Sequence, residues 1–323
     1  MGRVALVTGI TGQDGGYLAE QLIAEGCAVH GMVHGGDVGV AELLARSPQV
    51  VLHTGDLLDE DSLAEVLAAA DPDEVYNLAG ISSVAFSWEQ PLLTADVTAL
   101  GAARLLEQTW RHQQARGTTV AFLQASSAEM FGAAAQVPQD ERTPLQPTSP
   151  YGAAKAYAHQ LVGVYRLRGL HAVSTVLYNH ESPRRPPTFV TRKITQGVAR
   201  IVRGEQDELV LGNLDARRDW GWAPDYVEAM VRAVRHSRPD DYVVATGRER
   251  TVKDFVAAAF ARAGVSSWEH LVRVDPAFVR PVDAAVLVGD ASKARRELGW
   301  APTVAFEQIV GAMVDVDLHP VAG

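Results

Sequence analysis

The sequence has a single cysteine, Cys27, and no apolar run long enough to span a bilayer. One thiol forms no internal disulfide, so a reducing compartment, the cytoplasm, is expected and stability must come from the core. A membrane helix needs roughly 18 consecutive apolar residues. The opening stretch, residues 1–7, is too short an apolar run for a signal segment and leads straight into a strand. Positive charge is also in deficit: 29 Lys and Arg stand against 39 Asp and Glu, for a formal charge of −10. That balance argues against nucleic acid or an anionic membrane as partner, while leaving room for a diphosphate held by a few local arginines. No internal repeat or low-complexity tract interrupts the 323 residues.

What is present is alternation. Short apolar segments at 4–8, 28–33, 50–53, 74–78, 120–125 and 173–178 alternate with helical patterns starting near residue 16 and at 61–70, 94–116 and 150–168. Short apolar strands separated by helices form a parallel sheet covered on both faces. The expected fold class is α/β: a Rossmann-like doubly wound parallel sheet with a smaller C-terminal α/β substrate-binding lobe. After Asn179 the texture changes to proline, arginine and loop residues at 182–188, with helices expected at 191–203, 225–235, 252–263 and 305–314. The boundary is placed near residue 180. A dinucleotide-binding domain then covers 1–180 and a substrate lobe 181–323, interleaved through one strand returned to the sheet.

Gly9-Ile10-Thr11-Gly12-Gln13-Asp14-Gly15 follows the first strand and opens the first helix. Glycines let the backbone turn tightly and approach a pyrophosphate, whose charge meets unpaired N–H groups at the helix N-terminus. Three glycines alone fit any strand-to-helix turn; the strand–loop–helix context favours a dinucleotide. Ligands of such sheets lie beyond the carboxyl ends of the strands. Leu78, Ala79, Gly80 and Ser82 after the fourth strand are therefore expected to line the same crevice. Asp56 and Leu57, past the third strand, are expected near an adenine, and a helix N-cap is a second role open to Asp56.

Tyr151 and Lys155 stand at i and i+4 of one helical face, where the ammonium is expected to lower the phenol's pKa toward that of a useful base. Ser127 follows the fifth strand, where its hydroxyl can bind a substrate oxygen. Alone, Tyr-x-x-x-Lys fits an amphipathic helix with a snorkelling lysine. With Ser127 before it, the set identifies a short-chain dehydrogenase/reductase. The stretch 124–132 resembles the catalytic strand end of nucleotide-sugar epimerases and dehydratases, and it carries Glu129. Epimerases of that group usually have an uncharged residue there. A dehydratase must remove a carbon-bound proton beside a transient ketone and protonate a leaving hydroxyl. One carboxylate does both in turn if a partly dry pocket raises its pKa. A solvated surface glutamate is the plainer alternative.

Over almost its whole length the sequence resembles the GDP-mannose 4,6-dehydratases. The most distinctive runs are Asn179-His180-Glu181-Ser182-Pro183-Arg184-Arg185, Phe189-Val190-Thr191-Arg192-Lys193 and Leu211-Gly212-Asn213-Leu214-Asp215-Ala216-Arg217-Arg218-Asp219-Trp220-Gly221. The resemblance implies a hydro-lyase turning GDP-mannose into GDP-4-keto-6-deoxymannose, with NADP unchanged overall. It puts Ser127 at the usual threonine position, Glu129 as the acid/base carboxylate, Tyr151 as the C4-hydroxyl base and Lys155 as its tuner and a ribose contact. It sets the backbone near His180 and the side chain of Arg185 against the cofactor. Asn179, Lys193, Leu211, Asn213, Arg218, Arg280 and Asp283 fall with the substrate, the cations at its GDP end. Arg184 and Arg217 stay undecided, and Asp219-Trp220-Gly221 reads as a turn with a packed indole. A dehydratase for a different nucleotide sugar, a 4-epimerase, a reductase and a non-catalytic sugar-nucleotide-binding protein are the rival readings.

The departures from the family concern the cofactor and the nucleotide. Adjacent arginines and a serine run usually follow the second strand, meeting the 2′-phosphate of NADP and a neighbouring subunit. Here those positions read His34-Gly35-Gly36-Asp37, which leaves NAD open, with Arg46 as a cation in the following segment. Leu93 replaces an aromatic cofactor contact, Asp283 a usual glutamate and Ala285 a usual aspartate. Without the charged reach of that loop, a homodimer paired through helices 94–116 and 150–168 is expected, with the family's tetramer as the alternative.

Overall fold

Each apolar segment of the first half forms a strand. The computed structural model of the chain describes residues 2–278 and 286–319. Its first half runs β1 (Val4–Thr8), α1 (Gln13–Ala24), β2 (Ala28–Val33), α2 (Val40–Arg46), β3 (Val51–Thr54), α3 (Glu60–Ala70) and β4 (Glu74–Asn77). There follow α4 (Val84–Glu89), α5 (Pro91–Thr94), a π-helical turn (Ala95–Leu100) leading into α6 (Gly101–Arg116), β5 (Ala121–Ser127), α7 (Pro150–Leu167) and β6 (His171–Leu177). The second half holds β7 (Asn179–Glu181), α8 (Val190–Val202), β8 (Leu209–Leu211), β9 (Arg217–Trp222), α9 (Ala223–Val234) and β10 (Asp241–Val244). It ends with β11 (Glu249–Thr251), α10 (Val252–Arg262), β12 (Val272–Val274), α11 (Ser292–Leu298) and α12 (Phe306–Leu318).

Seven strands form one parallel sheet in the order β3-β2-β1-β4-β5-β6-β10. Strand order reverses between β1 and β4, so the connections leaving their carboxyl ends diverge and open a crevice there. Side chains alternate across the sheet with a period of two. Val7, Tyr76, Leu123 and Val173 are buried in one core, and their chain neighbours Leu6, Val75, Phe122 and Ala172 in the other. β10 comes from the second half of the chain and pairs with β6, Asp241 opposite Ser174. A third core, around Ile194, Trp220, Phe255, Phe260 and Met313, belongs to the second half and its small sheets β11-β9-β7 and β12-β8.

Helix starts follow capping chemistry. Ser149 accepts from the Gly152 amide at 3.0 Å, and Pro150 occupies the first turn of α7. α3 is capped by Asp59, which accepts from the amides of Asp61 and Ser62; the cap is therefore Asp59 and not Asp56. The helix expected over 94–116 is widened by the π-helical turn, which presents the Thr98 hydroxyl to the Ile81 amide at 3.0 Å. Among the described residues no helix is long and apolar enough to cross a membrane.

Candidate active site

Beyond the carboxyl ends of β1, β4 and β5 lies a cleft of about 1010 Å³, walled on its far side by β7, β8, β9 and α8. Gly9, Thr11, Gly12, Gln13, Asp14 and Gly15 line one end of it. The N-cap of α1, Gly12, offers no side-chain cap, which leaves the helix's first amides to an outside acceptor. A Cβ on Gly15 would stand 2.3 Å from the Gly9 carbonyl oxygen, so only glycine lets the loop close down on the helix. An uncapped helix end under a tight backbone cradle fits a pyrophosphate. Leu78, Ala79, Gly80 and Ser82 line the same space. Asp56 and Leu57 do not. Leu57 is buried, close against Gly101, and Asp56 accepts from the Leu58 amide and lies 3.4 Å from His34 Nε2.

Ser127 ends β5 and caps the short turn Ala128–Met130, accepting from the Glu129 amide at 3.3 Å. A Cβ on Gly152 would come within 2.5 Å of the Glu129 carbonyl oxygen, so glycine allows α7 to press against this turn. That close approach brings Tyr151 and Lys155 into the same cleft as Ser127 and Glu129. Lys155 Nζ donates to the Ala125 carbonyl at 2.7 Å and sits 5.9 Å from the centre of the Tyr151 ring.

The electrostatics differ from the expectation that Lys155 lowers the tyrosine. Burial pushes the Tyr151 phenol up to about 12; the Ser127 hydrogen bond and Arg185 oppose this, while Glu129 and Asp14 add to it. Burial also pulls Lys155 down to about 8, with Asp14 holding it up. Loss of solvent outweighs the cation because Lys155 is anchored on a backbone carbonyl rather than on the phenol.

The second half supplies the opposite wall with Asn179 and His180 of β7, Arg185, Lys193 of α8, Leu211 of β8, Asn213 and Arg218 of β9. The Lys193 ammonium lies over the Phe278 ring at 4.0 Å, and Asn213 accepts from the Asp215 amide. Arg280, Asp283 and Ala285 lie outside the described residues. The two undecided arginines do not line the cleft. Arg184 covers the Tyr17 ring at 3.9 Å and pairs with Glu20, and Arg217 pairs with Glu249 at 2.6 Å. Asp219 is wholly buried and accepts from the amides of Thr246 and Gly247, a loop-holding arrangement. Unforeseen lining residues come from α4, namely Ser83, Val84, Ala85, Trp88 and Glu89. Ser83 is the N-cap of α4 and accepts from the Phe86 amide. Glu181 was also missed: its buried carboxylate accepts from the Thr191 hydroxyl at 2.6 Å and lies 3.3 Å from Arg185 Nε.

A dinucleotide crevice at the reversal of strand order, with serine, tyrosine and lysine converging on it from β5 and α7, is the design of the extended short-chain dehydrogenase/reductases. Comparison with known proteins narrows the class. The family model described as GDP-mannose 4,6 dehydratase matches residues 6–313. GDP-mannose 4,6 dehydratase 1 of Arabidopsis thaliana is 48% identical over 98% of this chain and 90% of its own length. GDP-mannose 4,6 dehydratase of Cricetulus griseus is 42% identical over 98% and 92%. Among solved structures, UDP-glucose 4-epimerase of Thermus thermophilus in complex with NAD superposes with a TM-score of 0.86. It is 27% identical, covering 98% of this chain and 99% of its own. The chain belongs to the GDP-mannose 4,6-dehydratase family.

Proposed function

We propose that the protein converts GDP-mannose to GDP-4-keto-6-deoxymannose and water, a hydro-lyase reaction. The observation that carries this reading is a carboxylate, Glu129, in one cleft with Ser127, Tyr151 and Lys155. Gly9, Thr11, Gly12, Gln13 and Gly15, with Leu78, Ala79, Gly80, Ser82 and Arg185 around them, would hold a nicotinamide cofactor, which when bound would supply the acceptor for the C4 hydride and its donor back to C6. Tyr151 takes the C4 hydroxyl proton, and Ser127 positions that oxygen. Glu129 takes the C5 proton, acidified by the adjacent ketone, and gives a proton to the C6 hydroxyl as it leaves as water. Asn179, Lys193 and Arg218 hold the GDP end, where ammonium and guanidinium groups suit a diphosphate. The test is mass spectrometry of products from a panel of sugar nucleotides. GDP-mannose should lose one water with no lasting reduced-nicotinamide absorbance, and in heavy water one deuterium should enter at C5. Unchanged mass indicates an epimerase, and stoichiometric cofactor consumption a reductase.

The finer cofactor reading is weak discrimination between NADP and NAD. Residues 34–39 contain no arginine or lysine. Arg46 is committed to Glu20 and Glu42, while Asp37 accepts from the Thr11 hydroxyl at 3.0 Å. A charge-assisted bond to a 2′-phosphate is worth about 1.5–3 kcal/mol, roughly a tenfold to hundredfold preference. Titration with both cofactors should give affinities within about tenfold of each other; a hundredfold preference for NADP rejects the reading. For assembly, Leu100 on the π-helical turn and Tyr157 and Val164 on α7 are exposed apolar side chains, which supports a helix-paired dimer. Solution mass by light scattering decides between dimer and tetramer.

A further inference from the structure

Both ring nitrogens of His180 face acceptors. Nδ1 lies 2.7 Å from the Tyr178 carbonyl oxygen and Nε2 lies 2.8 Å from a carboxylate oxygen of Asp14. A neutral imidazole has one donor and one acceptor nitrogen, so against a carbonyl and a carboxylate one contact would oppose two lone pairs. An imidazolium donates to both. Asp14 suits the anionic partner: it lies in the first turn of α1, where the helix dipole favours negative charge, and its other oxygen accepts from Gln13 Nε2 at 3.1 Å.

The pair joins distant parts of the site. Asp14 belongs to the helix beneath the glycine loop, and His180 to β7, the first strand of the second half. Gln13 reinforces the junction, donating to the His180 carbonyl at 3.2 Å and accepting from the Ser182 hydroxyl at 2.8 Å. Asp14 also acts on the acid–base set, where its charge opposes a phenolate at Tyr151 and favours the cation at Lys155. Left alone, that carboxylate would work against the base.

We propose that His180 is held as an imidazolium whose charge neutralises Asp14 beside Tyr151 and Lys155, making it a positioning residue for the acid–base chemistry. The kinetic part rests on the role given to Tyr151 above; the protonation state does not. Among the neighbouring groups, Arg185 opposes the imidazolium, Glu181 on the same strand is turned to Thr191 and Arg185, and Tyr226 of α9 stacks on the ring at 4.7 Å. Burial disfavours the charge on His180, yet Asp14 carries it above the ordinary 6.5; Asp14 itself is held below 3.8 despite burial. The pair's contribution to stability is therefore present in full between 3.8 and 6.5 and declines outside that window. It fades as pH rises through the raised histidine value, and as pH falls through the lowered aspartate value.

Two measurements test this. Nitrogen NMR of the full chain with labelled histidine, without substrate, should find both His180 ring nitrogens protonated near pH 7. The signal is assigned by its loss in His180→Gln, or in His180→Asn if the first variant does not fold. An unprotonated ring nitrogen at that pH overturns the proposal, whatever reaction the protein catalyses. In kinetics, His180→Gln leaves Asp14 uncompensated and should move the acid limb of the kcat profile up by about one pH unit. The double variant Asp14→Asn/His180→Gln should bring the limb back toward the parent. A double variant whose limb stays as far displaced as the single variant's reduces the pair to a structural clamp and removes the electrostatic role.

Discussion

Glu129→Gln is expected to lower formation of the keto-deoxy product by about 10²–10⁴-fold, the loss typical of a removed acid/base group. The substitution keeps the length of the side chain, and the bond that caps the turn runs from the residue's own backbone amide to the Ser127 hydroxyl, so the turn Ala128–Met130 should persist. What disappears is a group able to accept the C5 proton and deliver one to the departing C6 hydroxyl. Oxidation at C4, which the proposed reaction assigns to Tyr151, should continue. A single turnover of the variant should therefore accumulate reduced nicotinamide absorbance that does not decay, whereas in the parent it passes quickly. Deuterium entry at C5 should stop at the same time. Near-parental product formation by Glu129→Gln would remove the carboxylate from the chemistry and reopen the epimerase and reductase readings.

The parts of the site legible in the sequence are those written within a few residues of one another. The glycine loop is one turn between β1 and α1, and Tyr151 and Lys155 share one helical face, so local spacing marks them once the strand–loop–helix context and Ser127 are read with it. The inner strands of the large sheet are legible because they are buried on both faces and read as apolar runs, whereas the edge strand β3 is partly exposed. Three-residue strands such as β7, β8 and β12 have no period to read, and α2 and α4 are too short to show a stripe. The electrostatics were hidden for another reason. Asp14 and His180 lie 166 residues apart, and the dehydration of Tyr151 arises from the packing of α7 on the end of β5 beneath residues of the second half. Asp56 shows the limit of a local rule: its position suits both an N-cap and an adenine contact, and it is Asp59 that does the capping.

Tyr151→Phe is expected to stop the reaction one step earlier. The ring keeps its place in the wall of the cleft and loses only the hydroxyl, which bonds to Ser127 and which the proposed reaction sets against the C4 oxygen. Turnover should fall by about 10²–10⁴-fold, and no reduced nicotinamide should appear even in a single turnover. That absence separates this variant from Glu129→Gln, in which the same signal accumulates. The pH dependence gives a second handle. With the phenol pushed up to about 12 by burial, Tyr151 is neutral near pH 7 in the cofactor-free protein. Below its pKa the phenolate fraction grows about tenfold per pH unit, so the parent's rate of C4 oxidation should climb with pH. The climb should flatten once Lys155, pulled down to about 8, loses its proton and no longer favours negative charge nearby. Stopped-flow absorbance across this range should find the slope in the parent and none in the residual rate of Tyr151→Phe. A phenylalanine variant that keeps both the rate and the slope would place the base on another residue of the cleft.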